Sequence, residues 1–134
     1  MRARFAAAIA LAVIVAAASG CHGITTPSSN RSEDFPGTLQ PKSQNSHTFS
    51  VSNTGEFTVK LTAWGPNPSL FVGLALTQGN SDGSCGGTLQ QNNLVLPNAQ
   101  ALGGQIFSGK YCVFIFDVGT MTAAQTYTIN VSHP

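Results

Sequence analysis

A serine between two glycines is the first candidate for chemistry in this sequence. Residues 79–83 read Gly-Asn-Ser-Asp-Gly, the Gly-x-Ser-x-Gly spacing in which a sharp turn after a strand exposes a nucleophilic hydroxyl group. That geometry also requires a helix after the turn, whereas the glycine-rich residues 84–87 follow here. The sequence therefore favours a polar turn, and a small hydrolase that uses Ser81 or Asp82 is the alternative to a non-catalytic function.

Histidines and carboxylates are too scattered to predict a zinc site or an acid–base pair. His22, His47 and His133 form neither a His-x-His nor a His-Glu-x-x-His spacing, and His47 is expected to be exposed at a strand end. The loop around Asp82 offers fewer oxygen ligands than the about six to eight that calcium takes. We expect no metal or other cofactor, and Asp117 is expected to cap a turn.

The first twenty residues have the pattern of an export signal. Arg2 and Arg4 precede an apolar run over 5–18, which is short for a membrane-spanning helix and suits a helical signal peptide. Residues 18–21, Ala-Ser-Gly-Cys, resemble the lipobox of bacterial lipoproteins. The resemblance implies cleavage before Cys21, a diacylglyceryl group on its thiol and an acyl chain on its amine. A plain signal peptide with an accidental cysteine, or an uncleaved anchor, is the alternative.

Lipidation would place the protein in the bacterial cell envelope. Two or three acyl chains anchor a protein to a bilayer stably, whereas one does so only marginally. In the enterobacterial lipoproteins that this N-terminus resembles, an aspartate directly after the lipidated cysteine is a signal for retention in the inner membrane. This chain has His22 at that position, which favours the outer membrane.

Three cysteines are an odd number for an exported chain, so one of them needs a separate role. Lipidation of Cys21 leaves Cys85 and Cys112, which we predict to form a disulfide in an oxidising exterior. A metal site is the alternative, but two cysteines without nearby histidines fit it poorly.

Beyond Cys21, the sequence changes from a polar segment to alternating strands. Residues 22–34 are nearly free of apolar side chains and are expected to form a flexible tether. Alternation is clearest over 49–63, where Asn53-Thr54-Gly55 interrupts it, and this pattern predicts a hairpin. Further strands are predicted at 70–77, 89–96, 111–116 and 127–132, with turns at 65–68, 79–87, 103–104 and 108–110.

Short strands separated by glycine and proline predict an all-β fold. The apolar run 111–116 is expected to be a central strand, because both of its faces are hydrophobic. We predict a signal peptide at 1–20, a lipidated cysteine and tether at 21–34, and a small antiparallel β-sandwich, jelly-roll-like, at 35–134.

Composition excludes some classes of partner. Charged residues make up 8% of the chain, and from Cys21 onward four basic residues stand against five acidic ones. A net charge near −1 without a basic patch argues against nucleic-acid binding.

Ordered hydrophobic motifs over about residues 35–133 resemble a known family. They begin with Phe-x-Gly-x-Leu at 35–39 and His-x-Phe-x-Val at 47–51, and they end with Gly-Lys-Tyr-Cys-Val at 109–113 and Tyr-Thr-Ile-Asn-Val at 127–131. This pattern is similar to the bacterial pre-peptidase C-terminal domain, an accessory β-sandwich usually attached to secreted proteases. The resemblance implies a non-catalytic domain. Some collagen-binding relatives bind calcium through acidic residues near the N-terminal edge of the domain. This chain has only Glu33 and Asp34 there, so we do not expect that calcium site.

Trp64 is the candidate ligand-binding residue. It follows the third segment out of phase with the buried positions, beside the turn at 65–68, where an exposed indole ring could stack on a sugar or a peptide. A Trp folded over the edge of the sandwich is the alternative. Any ligand is expected near Trp64, Asn67 and the loop 80–87. If the strand at 70–77 places the two turns at opposite ends of the sandwich, they form two surfaces, and Trp64 alone is then the candidate. The sequence as a whole predicts a membrane-anchored binding or structural lipoprotein, whose partners are the bilayer and an envelope protein or glycan.

Overall fold

The computed structural model describes residues 29–134, which form eight β-strands. They are β1 (Arg31–Leu39), β2 (Gln44–Val51), β3 (Gly55–Gly65), β4 (Val72–Gly79), β5 (Cys85–Val95), β6 (Gln100–Ile106), β7 (Gly109–Phe116) and β8 (Gln125–His133). Two antiparallel sheets have the strand orders β1-β8-β3-β6 and β2-β7-β4-β5. This arrangement is a jelly-roll sandwich, which confirms the predicted fold class. The predicted signal helix and Cys21 lie outside the described residues.

The core lies between the two sheets and follows from the alternation along the strands. In β8, Tyr127, Ile129 and Val131 are buried, while the residues between them are partly exposed. β7 lies between β2 and β4 and buries Val113 and Ile115, so the prediction of a central strand is confirmed. Each such aliphatic side chain contributes about 1.5–3 kcal/mol when it is fully buried. Among residues 29–134, no helix has the length and hydrophobicity needed to cross a bilayer.

The predicted hairpin over 49–63 is wrong. β2 pairs with β7, whereas β3 pairs with β8 and β6, so Asn53 lies in a connection that crosses between the sheets. Phe49 and Phe57 are both buried, but they approach the core from opposite sheets. Alternation shows that a strand buries one face, and it does not show which strand is its neighbour.

The predicted boundary of the tether is also wrong, because residues 31–34 belong to β1. Arg31 pairs with His133 at the start of the β1–β8 ladder. Polar contacts support this end of the strand: Glu33 Oε1 lies 2.8 Å from the buried His133 Nε2, and Asn130 Nδ2 donates to Asp34 Oδ1 at 2.8 Å. An edge strand held by backbone pairing and polar contacts needs few apolar residues, so its composition resembles that of a linker.

One predicted turn lies within a strand, and another is shorter than predicted. Gly103 and Gly104 are in β6, where they pair with Thr58 and Phe57. Gly104 has a φ of 139°, a conformation that favours glycine. These glycines lie within an edge strand, at a point where neighbouring atoms come close to the backbone, and they do not mark the end of the strand. Similarly, the predicted loop 79–87 is shorter than expected, because β5 begins at Cys85.

A disulfide joins Cys85 to Cys112, which confirms the predicted pairing. It connects the first residue of the edge strand β5 to the central strand β7, where Cys112 is fully buried. The bond therefore fixes the beginning of a mostly exposed strand to the core.

Removal of this disulfide should lower the free energy of unfolding by about 3–4 kcal/mol, because it closes a loop between residues 27 apart and restricts the unfolded chain. Urea unfolding of the Cys85→Ala, Cys112→Ala double variant measures the change. Reduction of the wild-type protein should produce a similar loss and should leave the double variant unaffected. Superimposable curves for oxidised and reduced wild-type protein would contradict this expectation.

Candidate functional site

The jelly-roll connectivity leaves two open sides, at which outer strands of the two sheets face each other. β1 and β2 border one side, and β5 and β6 border the other. The inward side chains of the strands are committed to core packing. The side chains along the open sides and in the loops are therefore the groups available for recognition.

On the β5/β6 side, amide side chains of β5 bind the backbone of β6. Gln90 Nε2 donates to the Gly103 carbonyl oxygen at 3.2 Å, and Gln90 Oε1 accepts from the Gly103 N–H at 3.1 Å. Asn92 Nδ2 donates to the Ala101 carbonyl oxygen at 3.2 Å. The Gln90 carboxamide thus takes the place of a peptide group in a neighbouring strand, and it satisfies backbone groups at the outer edge of β6.

An open groove of about 450 Å³, which we call the amide groove, runs along these contacts. Residues 90–94 of β5 line it together with Ala101 and Leu102 of β6, and no charged residue is among them. Gln91 and Asn93 are exposed, and Gln91 Nε2 donates to Asn93 Oδ1 at 2.7 Å. Both amides keep further donor and acceptor positions that point to solvent.

Irregular pairing explains why leucines are exposed beside this groove. The register of β5 against β4 shifts at three places, between Val72 and Leu74 and on each side of Thr77. Each shift adds a residue to β5 and changes the direction of the following side chains. Leu89 and Leu94 are consequently 56% and 70% exposed. Together with the amides, Leu94 gives the groove an apolar contact next to neutral hydrogen-bonding groups.

The opposite side is closed by an aromatic cluster around His47. The expectation of an exposed strand end is wrong, because His47 is half-buried within β2. Its ring stacks on Phe35 of β1 with a centroid distance of 5.1 Å, and its Nε2 lies 2.8 Å from the Tyr127 hydroxyl oxygen. Asn45 Nδ2 donates to the same hydroxyl at 3.0 Å.

Burial lowers the pKa of His47. A neutral His47 can accept the Tyr127 hydroxyl proton at Nε2, while that hydroxyl accepts from Asn45, so each of these polar groups has a partner. A protonated ring would instead donate, and the Tyr127 proton would lose its acceptor. The cluster is therefore adapted to the uncharged form of the histidine.

The candidate nucleophile Ser81 is exposed in the β4–β5 connection, and a strand rather than a helix follows it. Asp82 Oδ1 accepts from Ser84 Oγ at 2.6 Å and from the Ser84 N–H at 2.9 Å. These two bonds, the hydroxyl bond first, lower the pKa of Asp82, whereas a general acid needs a raised one. Both histidines of the described chain, His47 and His133, hydrogen-bond to other side chains.

Asp117 caps a turn, as the sequence predicts. Its Oδ1 accepts from the N–H groups of Gly119, Thr120 and Met121 at 2.8, 3.0 and 3.2 Å, and its Oδ2 accepts from the Lys42 N–H at 2.8 Å. Burial raises the pKa of Asp117, but these four donors outweigh it and hold the pKa below its ordinary value. Within residues 29–134, histidine, cysteine and acidic side chains form no group of three or more that could hold a metal.

Trp64 is buried, so its predicted role as an exposed stacking surface is wrong. Its side chain is 6% exposed, and its Nε1 donates to the Leu70 carbonyl oxygen at 2.9 Å. The register of β3 against β8 shifts between Leu61 and Ala63. This shift reverses the alternation, and the even-numbered Trp64 therefore faces the core.

The two candidate ligand loops form separate surfaces, as expected if the intervening strand places them at opposite ends. Residues 66–71 precede β4 and residues 80–84 follow it, so the two loops lie at opposite ends of that strand. Asn67 is held by its own contacts, since its N–H donates to Gln125 Oε1 at 2.9 Å.

The amide groove was not expected from the sequence. Four consecutive amides at 90–93 are a visible sign, because such a run suits neither a hydrophobic core nor a charged surface. Their position against β6 depends on which strands become neighbours across the sandwich, and local periodicity does not contain that information.

Comparisons with known proteins support the architecture alone. No protein-family model matches this chain, and no curated protein matches it. Among solved structures, the chain is similar to the crystal structure of the Yersinia pseudotuberculosis-derived mitogen, with a TM-score of 0.53 and 16% sequence identity. The likeness covers 77% of this chain and 84% of the mitogen. At this identity it shows a shared β-sandwich fold.

The His47 cluster predicts that the free energy of unfolding depends on pH in the acidic range. Because the pKa of His47 is lowered in the folded protein, the unfolded chain takes up a proton first as the pH falls below about 6.5. The free energy of unfolding should therefore decrease as the pH falls from there through the folded-state pKa. His47→Gln, which keeps a hydrogen-bonding side chain and does not titrate, should lose less stability over this window in denaturant titrations. Identical pH profiles for the two proteins would refute the assignment.

Proposed function

We propose that this chain is an exported lipoprotein, anchored to the bacterial cell envelope through Cys21, whose jelly-roll domain binds a ligand without catalysis. The observation that carries the proposal is the Cys85–Cys112 disulfide. It uses two of the three cysteines and leaves Cys21, which directly follows the signal-like apolar run, as the remaining thiol. A disulfide is also typical of proteins in oxidising compartments. We favour the outer membrane because His22 rather than an aspartate follows Cys21.

The absence of catalysis is part of the proposal, and the geometry around Ser81 and Asp82 supports it. Ser81 lies in an exposed turn, and the Asp82 carboxylate is held by Ser84 in its charged form. A hydrolase built on either residue would need a positioned base or acid nearby. No contact in the described part of the chain favours that alternative.

The resemblance to the pre-peptidase C-terminal domain remains part of the same proposal. Its first and last motifs meet in space, because Gly37 in β1 lies against the Tyr127 ring of β8, and a side chain at position 37 would overlap that ring. The glycine of the first motif therefore meets a packing requirement that the tyrosine of the last motif imposes. An accessory binding role agrees with the resemblance.

We further propose that the amide groove is the binding surface and that its ligand is an uncharged glycan of the envelope. A carboxamide donates and accepts, as a sugar hydroxyl does, so Gln91 and Asn93 match the hydrogen-bonding pattern of such a ligand. Leu94, which is 70% exposed, offers an apolar surface for the C–H face of a sugar ring. The lack of charge along the groove favours a neutral glycan over an ionic protein partner.

The anchor is tested by Cys21→Ser in a host that processes lipoproteins. The wild-type protein should fractionate with membranes, and the variant should not, because it cannot accept the diacylglyceryl group. The Cys85→Ala, Cys112→Ala double variant is the matched control, since it removes the other two cysteines and should remain in the membrane fraction. Full membrane retention of Cys21→Ser with its signal removed would contradict the proposal.

The ligand is tested with a panel of neutral envelope glycans, followed by calorimetric titration of any glycan that binds. The Gln91→Ala, Asn93→Ala double variant should weaken binding by about tenfold or more, as expected for the loss of two hydrogen-bonding side chains. Asn53→Ala is the control, because Asn53 is exposed in the β2–β3 connection away from the groove. A panel without binders, or an affinity that the double variant leaves unchanged, would exclude this site.

A further inference from the structure

The chain enters the sandwich at one end, which we call the entry end. Arg31, the first residue of β1, pairs with His133, and Asn30 Nδ2 donates to the Glu56 carbonyl oxygen at 2.7 Å. Because the strands run antiparallel, the connections 52–54, 80–84 and 107–108 lie at this same end. The connections 40–43, 66–71, 96–99 and 117–124 lie at the far end.

An aromatic ring is exposed at the entry end. Phe107 follows Ile106, which pairs with Gly55 beside the entering chain, and its side chain is 61% exposed. Its carbonyl oxygen accepts from the Tyr111 hydroxyl at 3.0 Å, so the short loop is fixed while the ring faces solvent. At the far end, Phe71 is the corresponding exposed ring, with 38% exposure.

The distance from the lipid to the domain limits which end reaches the membrane. Nine peptide units separate Cys21 from Asn30, and they span at most about 32 Å even when fully extended. The nine residues of β1 separate the entry end from the far end by about 30 Å. Contact between the far end and the bilayer would use nearly the whole reach of the connecting chain, whereas contact at the entry end needs almost none of it.

Charge at the entry end is close to balanced. The basic residues there are Arg31 and Lys110, and the acidic ones are Glu33, Glu56 and Asp82. This distribution offers no net attraction to anionic lipid headgroups. An apolar ring at a membrane interface does not depend on such attraction.

We infer that the entry end lies against the bilayer in the anchored protein and that Phe107 inserts its ring into the lipid interface. The inference rests on the proposed lipidation of Cys21. The partner of this surface is a lipid bilayer, and the contact is apolar rather than electrostatic. In this orientation the far end points away from the membrane, and the amide groove along the side of the sandwich stays open to solvent.

Tryptophan quenching by brominated lipids tests this orientation. The full-length lipidated protein is placed in phosphatidylcholine vesicles with bromine atoms on the acyl chains, which quench only nearby indoles. Phe107→Trp should lose most of its added emission, relative to the wild-type protein with its buried Trp64. Phe71→Trp is the matched control, and its added emission should persist. High salt should not restore the quenched emission, since screening acts on charge pairs.

An unquenched Phe107→Trp, or equal quenching of both variants, would overturn the orientation. Recovery of emission at high salt would overturn the apolar nature of the contact. The mass of the same preparation reports separately on the anchor. An acylated protein without quenching removes the orientation and leaves the proposed function intact, whereas an unacylated Cys21 removes both.

Discussion

The apolar contact between two four-stranded sheets is the constraint on which the rest of this molecule depends. Fully buried residues such as Leu61 of β3, Leu74 of β4, Ile115 of β7 and Ile129 of β8 come from all four inner strands. Within residues 29–134, the β4–β5 connection alone joins neighbours in one sheet, and the other connections cross between the sheets. Consecutive strands therefore belong to opposite sheets in nearly every case, and the faces that they bury hold the two sheets together. What remains for recognition is the surface of the open sides and of the two ends.

Sequence alternation was sufficient to predict most of the strands and the fold class, but it did not predict β6 or show which strands are neighbours. β2 and β3 alternate regularly around Asn53, and each buries one face, but they lie in different sheets. A hairpin and a connection that crosses between the sheets produce the same alternation of polar and apolar residues in the flanking strands. The difference between them lies in long-range pairing with β7 and β8, which only the assembled sandwich determines.

A single extra residue in β3 explains why the predicted exposure of Trp64 was wrong. Up to Leu61 the odd positions of β3 are buried, and a strand without irregularities would leave Trp64 exposed. The register shift after Leu61 turns Trp64 inward, where its indole nitrogen finds the Leu70 carbonyl oxygen. Large aromatic rings contribute strongly when they are buried, and this one also satisfies its polar atom, so the bulge is favoured by packing that lies outside the strand. Cysteine pairing, by contrast, was predictable because it required only a count of the cysteines and the expectation of an oxidising compartment.

Different side-chain contacts cover the two open sides of the sandwich, and this difference explains why we place ligand binding on one of them. On the β1/β2 side, the Tyr127 hydroxyl group hydrogen-bonds to both His47 and Asn45. Phe35 stacks on the His47 ring, so few polar groups of this cluster are left for a ligand. On the β5/β6 side, alternate amides turn in opposite directions. Gln90 and Asn92 bind the backbone of β6, while the intervening Gln91 and the following Asn93 face solvent. The period of two that builds the core thus divides this amide run into one set that seals the sandwich and another that is free to bind a ligand.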